Sequence, residues 1–316
     1  VAQAFSGRAD SGGAMALRFT PQAHRAMRRR YALRKTLQAY AFLAPFLLFF
    51  GVFLLGPVLW LFWLTFHAEG ILAPQVYVGL ENWQRVFSNR LVLRTITNTL
   101  VYSLMAIPAV FVLAMGMALA LKAVPRGQAF FRTLLYIPTL QPSLIIALIW
   151  TFVLHPDFGI LNVLCRAVLG HPINFLGEPA HALPTIAMIE VWRGLGFWTM
   201  LFLSGLMGMP VELYHAAELD GAGPVGRFFR LTLPLMKPMF FFSIIFATIA
   251  NLQLFDSVFI LTDGGPANST ATVTWYIYRS LFDFGETGLG STMSFVLVAV
   301  VLLLTAAQTY LMRRKS

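Results

Sequence analysis

An all-α, polytopic membrane protein with six membrane-crossing helices and both termini in the cytoplasm is the fold class this sequence predicts. Three observations predict it. Of the 316 residues, 58% are hydrophobic and 11% charged, a balance too apolar for a soluble domain of this length. Six apolar runs, 39–66, 99–121, 133–154, 183–209, 239–261 and 291–312, each reach the roughly 20 residues a helix needs to cross a bilayer. None alternates in the manner of a barrel strand, and a helix satisfies its backbone groups within the segment, as lipid requires. Lastly, lysines and arginines gather at the ends of these runs. Of the 23, 17 fall on one side of the arrangement and five on the other, with Arg193 left inside the fourth run. Cytoplasmic connections carry the positive excess, so the crowded side is expected to be cytoplasmic. The net charge of +10 then reads as orientation in a membrane, and no nucleic-acid partner is expected.

In chain order, residues 1–37 form a basic tail, with Arg25, Arg28, Arg29, Arg30, Arg34 and Lys35 just before the first run. A like-charge block of this kind is expected to be a mobile cytoplasmic tail. Roughly the first two dozen residues, which begin at Val1 rather than Met, are expected to lie outside the fold. The first run is too long for the apolar part of a secretory signal and lacks a small-residue cleavage site, so it reads as an uncleaved span. Residues 38–316 are expected to form one six-span domain. Cys165 is the only cysteine, which excludes an internal disulfide. The outer connections place turn residues beside aromatics: Gly79-Leu80-Glu81-Asn82-Trp83, residues 156–162, and Thr262-Asp263-Gly264-Gly265-Pro266. Each reads most simply as a turn with an aromatic anchor.

The connection 210–238, PVELYHAAELDGAGPVGRFFRLTLPLMKP, interrupts two apolar runs with a polar helix, a turn, a second helix and a break. Pro210 suits the first helical position, Glu212 faces the positive end of the dipole, and Gly221 can take the left-handed conformation that closes a helix. Pro224 can start the next helix, and Leu233-Pro234 can end it. Ala216 and Ala217 give the first helix a slim side suited to resting in a groove. Gly221-Ala-Gly223-Pro-Val-Gly226 satisfies the dinucleotide-binding spacing, but that motif must follow a strand and open a βαβ unit. A phosphate-binding loop is excluded as well, because Arg227-Phe228 stand where Lys-Ser/Thr is required. Any nucleotide motor therefore lies on another polypeptide.

These residues carry a resemblance. His215-Ala216-Ala217, Asp220-Gly221-Ala222, Phe228 and Leu233-Pro234 resemble the EAA loop of ABC importer permeases, with His215 where the family has Glu. The Gly79-to-Trp83 segment, Asn98-Thr99, Ile137-Pro138 and the Gly-Gly-Pro turn are similar to marks of the carbohydrate branch, which includes maltose, glycerol-phosphate and alginate importer permeases. The resemblance runs from about residue 37 to the C-terminus. It implies a multi-pass protein of the bacterial inner membrane, paired in the lipid bilayer with a second homologous permease. It further implies that the loop docks on a dimer of ATPase subunits, which bind ATP and magnesium, so that this chain needs no cofactor. A periplasmic substrate-binding protein would deliver an oligosaccharide.

Ionisable residues inside a span are costly and mark function by default. Here they are Glu190, Arg193 and Asp256. Arg193 can pair with Glu190, three residues away on one helix, or with Asp256 on the fifth run. Either pairing leaves one carboxylate to solvent or substrate. Asn251, near the middle of the fifth run, is the first choice for a substrate contact. Gln253, Asp256 and Ser257 share a helix face by spacing and can line the pathway or join helices. Phe255, Phe259, Tyr276 and Trp192 are candidate walls for a sugar ring. Arg193 favours an acidic sugar, such as an alginate fragment. A self-sufficient ion-coupled transporter is the alternative, but it requires internal repeats and a titratable relay, neither of which is evident. An intramembrane enzyme is disfavoured by the lack of a nucleophile and base pair. His155, His171 and His181 are not spaced as metal ligands.

Overall fold

The computed structural model describes residues 21–68 and 76–313; the side chains of 21–30, 32–34, 37 and 313 are not part of that description. Arg8 and Arg18 of the tail, and Arg314 and Lys315 at the other end, lie outside the described residues. The chain divides into two compact units, Val1–Trp60 and Leu61–Ser316. The backbone is helical from α1 (Pro21–Phe50) through a π-helical turn, Gly51–Leu55, into α2 (Gly56–Leu64). The basic tail is thus helical from Pro21, where a mobile segment to residue 37 was expected. Ala, Met, Leu, Arg and Lys are strong helix formers, and extending an existing helix escapes the cost of nucleation. Gln38–Leu64 is the first stretch long and apolar enough to cross a membrane.

Beyond a two-residue hairpin (β1, His67–Ala68; β2, Val76–Tyr77) the second unit is built of helices. They are α3 (Glu81–Ser88), α4 (Arg90–Ala123), α5 (Gln128–Leu140), α6 (Ser143–Val153), α7 (Ile160–Leu169) and α8 (Pro179–Met207). After these come α9 (Val211–Leu219), α10 (Pro224–Arg227), a π turn at Phe228–Thr232, α11 (Leu233–Leu235) and α12 (Lys237–Leu252). The chain ends with α13 (Asp256–Leu261), α14 (Val273–Phe282) and α15 (Thr287–Arg313). At the centre α4 lies along α8, and Ala106, Ala114 and Ala118 are buried on the shared face. Small side chains let two backbones approach, which favours helix association in lipid. Between the same helices Phe111, Trp198 and Phe202 pack with Phe240 of α12, with Phe111 to Trp198 ring centres 4.9 Å apart.

Among the described residues, five stretches are long and apolar enough to cross a membrane, and a sixth exists only if α5 and α6 count as one, because they meet at 95°. The expected continuous helix at 133–154 is therefore corrected. Pro142 drives Gln141 into extended backbone (ψ 141°) and contributes no N–H of its own. The fifth run is interrupted too, between α12 and α13, where Gln253 and Phe255 leave helical geometry. Prolines also explain both π turns. Gly56 N–H bonds to Gly51 O and Leu233 N–H to Phe228 O, and in each case the residue that closes the wide turn is followed by a proline, Pro57 or Pro234. A proline cannot donate to the i−4 carbonyl and crowds it, and a wider turn relieves both problems. Leu233-Pro234 therefore does not end the helix as expected; the chain stays helical to Leu235.

Two of the connections read as turns with aromatic anchors carry more than a turn. Asn82 rather than Trp83 holds the first: it is buried, and its Nδ2 donates to Thr65 O (3.0 Å) and His67 O (2.9 Å). In the last, Asn98 of α4 donates to Asn268 O (2.9 Å) and Ala271 O (3.0 Å), while Val273 N–H donates to Thr99 Oγ1 (3.1 Å). Asp263 accepts from Trp275 Nε1 (3.0 Å) and pairs with Arg279, which also holds Asp283 at 2.5 Å. The hydrogen bond to Asp283, then the charge of Asp263, raises the Arg279 pKa above its usual value. Asn98-Thr99 and the Gly-Gly-Pro turn are thus two halves of one clamp.

Candidate functional site

The two broken spans meet at a cavity of about 400 Å³, within the range of ligand pockets. Tyr102 of α4, Ser143 at the start of α6, Glu190 and Arg193 of α8, and Asn251 and Gln253 to Ser257 around the break in the fifth run all line it. Irregular backbone at membrane depth is tolerated only where its polar groups find partners or line a cavity. Both conditions hold here. Leu254 O, released by the break, accepts from Thr272 Oγ1 at 2.8 Å, and Leu254 N–H keeps a bond to Asn251 O at 3.3 Å.

Of the two pairings open to Arg193, the fold takes the local one. Glu190 Oε2 accepts from Arg193 Nη2 at 2.6 Å and Nε at 3.1 Å, and Glu190 Oε1 accepts from Ser257 Oγ on α13. Asp256 does not reach the guanidinium; its Oδ2 accepts from Ser143 Oγ, tying the first residue of α13 to the first residue of α6. Arg193 O, in turn, accepts from Thr139 Oγ1 at 2.8 Å, which fixes α5 on α8. That approach is close: a Cβ on Gly196 would lie 2.2 Å from Leu135 O. Asp256 remains exposed to the cavity, so one carboxylate is left to solvent or substrate as expected. The Arg193 charge is already met by Glu190.

Asn251 lies at the cavity wall beside the break, with its Nδ2 donating to Ala247 O at 2.8 Å. Gln253, Asp256 and Ser257 all reach the cavity, but they do not share a helix face, since the helix stops at Leu252 and restarts at Asp256. Of the four candidate aromatic walls only Phe255 lines it. Phe259 stacks on Phe255 at 5.2 Å, Tyr276 is buried with its hydroxyl accepting from Asn89 Nδ2 (3.3 Å), and Trp192 is directed at Trp150. Sequence reasoning missed Tyr102, Ser143, Phe197, Trp198 and Phe246. Pro142 was a readable signal for Ser143; the aromatics carried none, because apolar residues in an apolar run do not announce which face they occupy.

The second candidate surface is the 210–238 connection at the end of α8. Helix α9 starts one residue later than expected, with Pro210 as its cap, and Glu212 sits in its first turn. Gly221 closes it at φ +76°, with Gly221 N–H bonded to Glu218 O (3.0 Å) and Ala222 N–H to Ala217 O (2.9 Å). This is the paired bonding of a Schellman cap. Asp220 is the C-cap residue. Tyr214 anchors the helix: its hydroxyl meets Thr232 Oγ1 at 2.9 Å, and Lys122 Nζ stands 4.8 Å from its ring. Arg227 braces the turn through Glu218 at 2.7 Å. No residue of α9 is buried, and Ala216, His215 and Leu219 are exposed, Leu219 by 90%. Leu233 and Pro234 fall in the helix that leads into α12. The connection thus presents a rigid, capped, largely uncovered helix.

Residues 112–316 match the family described as binding-protein-dependent transport system inner membrane component. The trehalose/maltose transport system permease protein MalF of Thermococcus litoralis is 32% identical over 86% of this chain and 92% of its own length. The sulfoquinovosyl glycerol transport system permease protein SmoG of Agrobacterium fabrum is 31% identical over 88% and 91%. Among solved structures, a bacterial ABC transporter involved in the import of the acidic polysaccharide alginate shares the fold, with a TM-score of 0.80 at 22% identity. That match covers 91% of this chain and 99% of that chain.

Proposed function

Because the chain belongs to the family of binding-protein-dependent transport system inner membrane components, we propose that its cavity is half of the translocation pathway for an oligosaccharide. Helix α9 and its cap, with His215, Ala216, Ala217, Asp220, Gly221 and Ala222, are then the element that an ATPase subunit grips. The observation that carries this reading is the meeting of two broken spans at a cavity lined by Asn251, Gln253, Asp256 and Phe255. An amide and a carboxylate supply hydrogen bonds for sugar hydroxyls, and an aromatic ring supplies a face for stacking. By family likeness a second homologous permease completes the pathway, a periplasmic binding protein delivers the sugar, and the ATPase dimer supplies ATP and magnesium. The inner membrane with both termini cytoplasmic is the location this implies.

The charged lining refines the substrate. An acidic sugar has to draw Arg193 away from Glu190, and Asp256 repels it; a neutral oligosaccharide needs no such exchange. No group in this chain performs covalent chemistry in this reading. The test is Asn251→Ala in the assembled transporter: uptake falls while the complex still assembles. Full uptake by that variant removes Asn251 from the pathway.

A further inference from the structure

We propose that α7 is an interfacial helix whose apolar face lies in the acyl chains of the bilayer leaflet opposite the coupling connection. Ile160, Val163, Leu164 and Val168 are all more than half exposed, Val168 by 81%. Their spacing places them on one stripe of the helix. The stripe cannot turn inward. Asn162, on the other face, is fully buried, with its Nδ2 donating to Leu154 O and His155 O, both at 3.2 Å. Its Oδ1 accepts from Ile173 N–H at 2.8 Å, so the helix is held by the chain before it and the chain after it. Arg166, the helix's one charged residue, is drawn off the stripe by its bond to Pro156 O at 2.6 Å.

Lipid is the occupant for three reasons. The helix has 10 residues, about 15 Å long, and cannot cross a hydrocarbon core of about 30 Å. Ile149 and Phe152 of α6, Phe158 of the connection, and Ile160 and Leu164 of α7 are all exposed, so the apolar span and α7 both present uncovered apolar side chains. Asn162 bonds the last carbonyls of that span, which pins α7 where the span leaves the hydrocarbon. The stripe also lacks the Trp, Tyr and Arg anchors that concentrate binding energy at protein interfaces, and its aliphatic side chains can be buried among acyl chains. Since α8 crosses between them, α7 and the 210–238 connection lie at opposite ends of one span.

The inference rests on the membrane-permease reading but not on its substrate, and the test involves no transport. In a Cys165→Ser background, single nitroxide labels are placed at Leu164→Cys and Val168→Cys, with His171→Cys as the aqueous control. The transporter complex is held in nanodiscs of phosphatidylethanolamine and phosphatidylglycerol, and only label in the assembled fraction is read. Oxygen, which concentrates in lipid, is expected to relax the labels at 164 and 168 with an oxygen-to-nickel-chelate ratio several-fold above that at 171. Equal ratios at all three positions place the helix in water and overturn the proposal. Labels at 164 and 168 reached by neither reagent mean that protein covers the face, which overturns it as well. Ile160→Cys repeats the measurement if either variant assembles poorly.

Discussion

Replacing Arg193 by Met removes the guanidinium while keeping an unbranched side chain of similar length. Glu190, only 8% exposed, is then left with Ser257 as its one remaining donor among the described residues. Breaking a buried ion pair by removing one partner costs about 3–5 kcal/mol. The Arg193 side chain is 30% exposed to the cavity, which places this pair at the lower end, about 3 kcal/mol, or a factor of about 100 in the equilibrium. At roughly 2–4 °C per kcal/mol for a chain of this size the denaturation midpoint drops by about 6–12 °C. Glu190→Gln/Arg193→Met removes both charges, and most of that loss should return, because a neutral replacement of a buried pair is close to neutral in energy. The assay is the denaturation midpoint of the purified complex by intrinsic fluorescence, with assembly checked by size exclusion. An unchanged midpoint for Arg193→Met, or no recovery in the double variant, refutes the structural role of the pair. Normal assembly combined with a selective loss of acidic-sugar uptake reassigns the guanidinium to substrate.

On α9, His215→Ala should retain most substrate-stimulated ATP hydrolysis, because the His215 side chain is 69% exposed and an exposed pair with a partner contributes only about 0–1 kcal/mol. Ala217→Trp, which thickens the ridge, or Gly221→Val, which forces a branched residue to positive φ at a cost of about 1–2 kcal/mol or more, should abolish hydrolysis or release the ATPase; the reverse ranking means that the histidine side chain carries coupling. Asn98→Ala removes two bonds to the 263–272 loop, about 1–2 kcal/mol, and amide exchange there should quicken while that of α8 is unchanged; equal exchange in the variant and wild type removes the clamp. A reporter fused after Ser316 should be active only in its cytoplasmic form, and activity outside the membrane overturns the orientation.

Hydropathy alone determined the membrane class and the number of apolar runs, because transfer into lipid is a sum over residues and needs no knowledge of neighbours. The cap at Gly221 was equally legible: only glycine adopts φ +76° without cost, and the bonds that close α9 span six consecutive residues. Local chemistry also narrowed Arg193 to two partners. Choosing between Glu190 and Asp256 needed the tertiary structure, since the choice depends on where the break in the fifth run aims Asp256, and Ser143 arrives there from a different span. The same holds for the candidate aromatic walls: Phe255 reaches the cavity and Tyr276 does not. Asn82 and Asn162 read as turn residues in the chain, and Asn98 only as part of a family mark, yet all three act as bolts between segments in the fold. An amide's partners are backbone groups, which are alike at every position, so the sequence determines that such a residue needs partners and only the fold decides which.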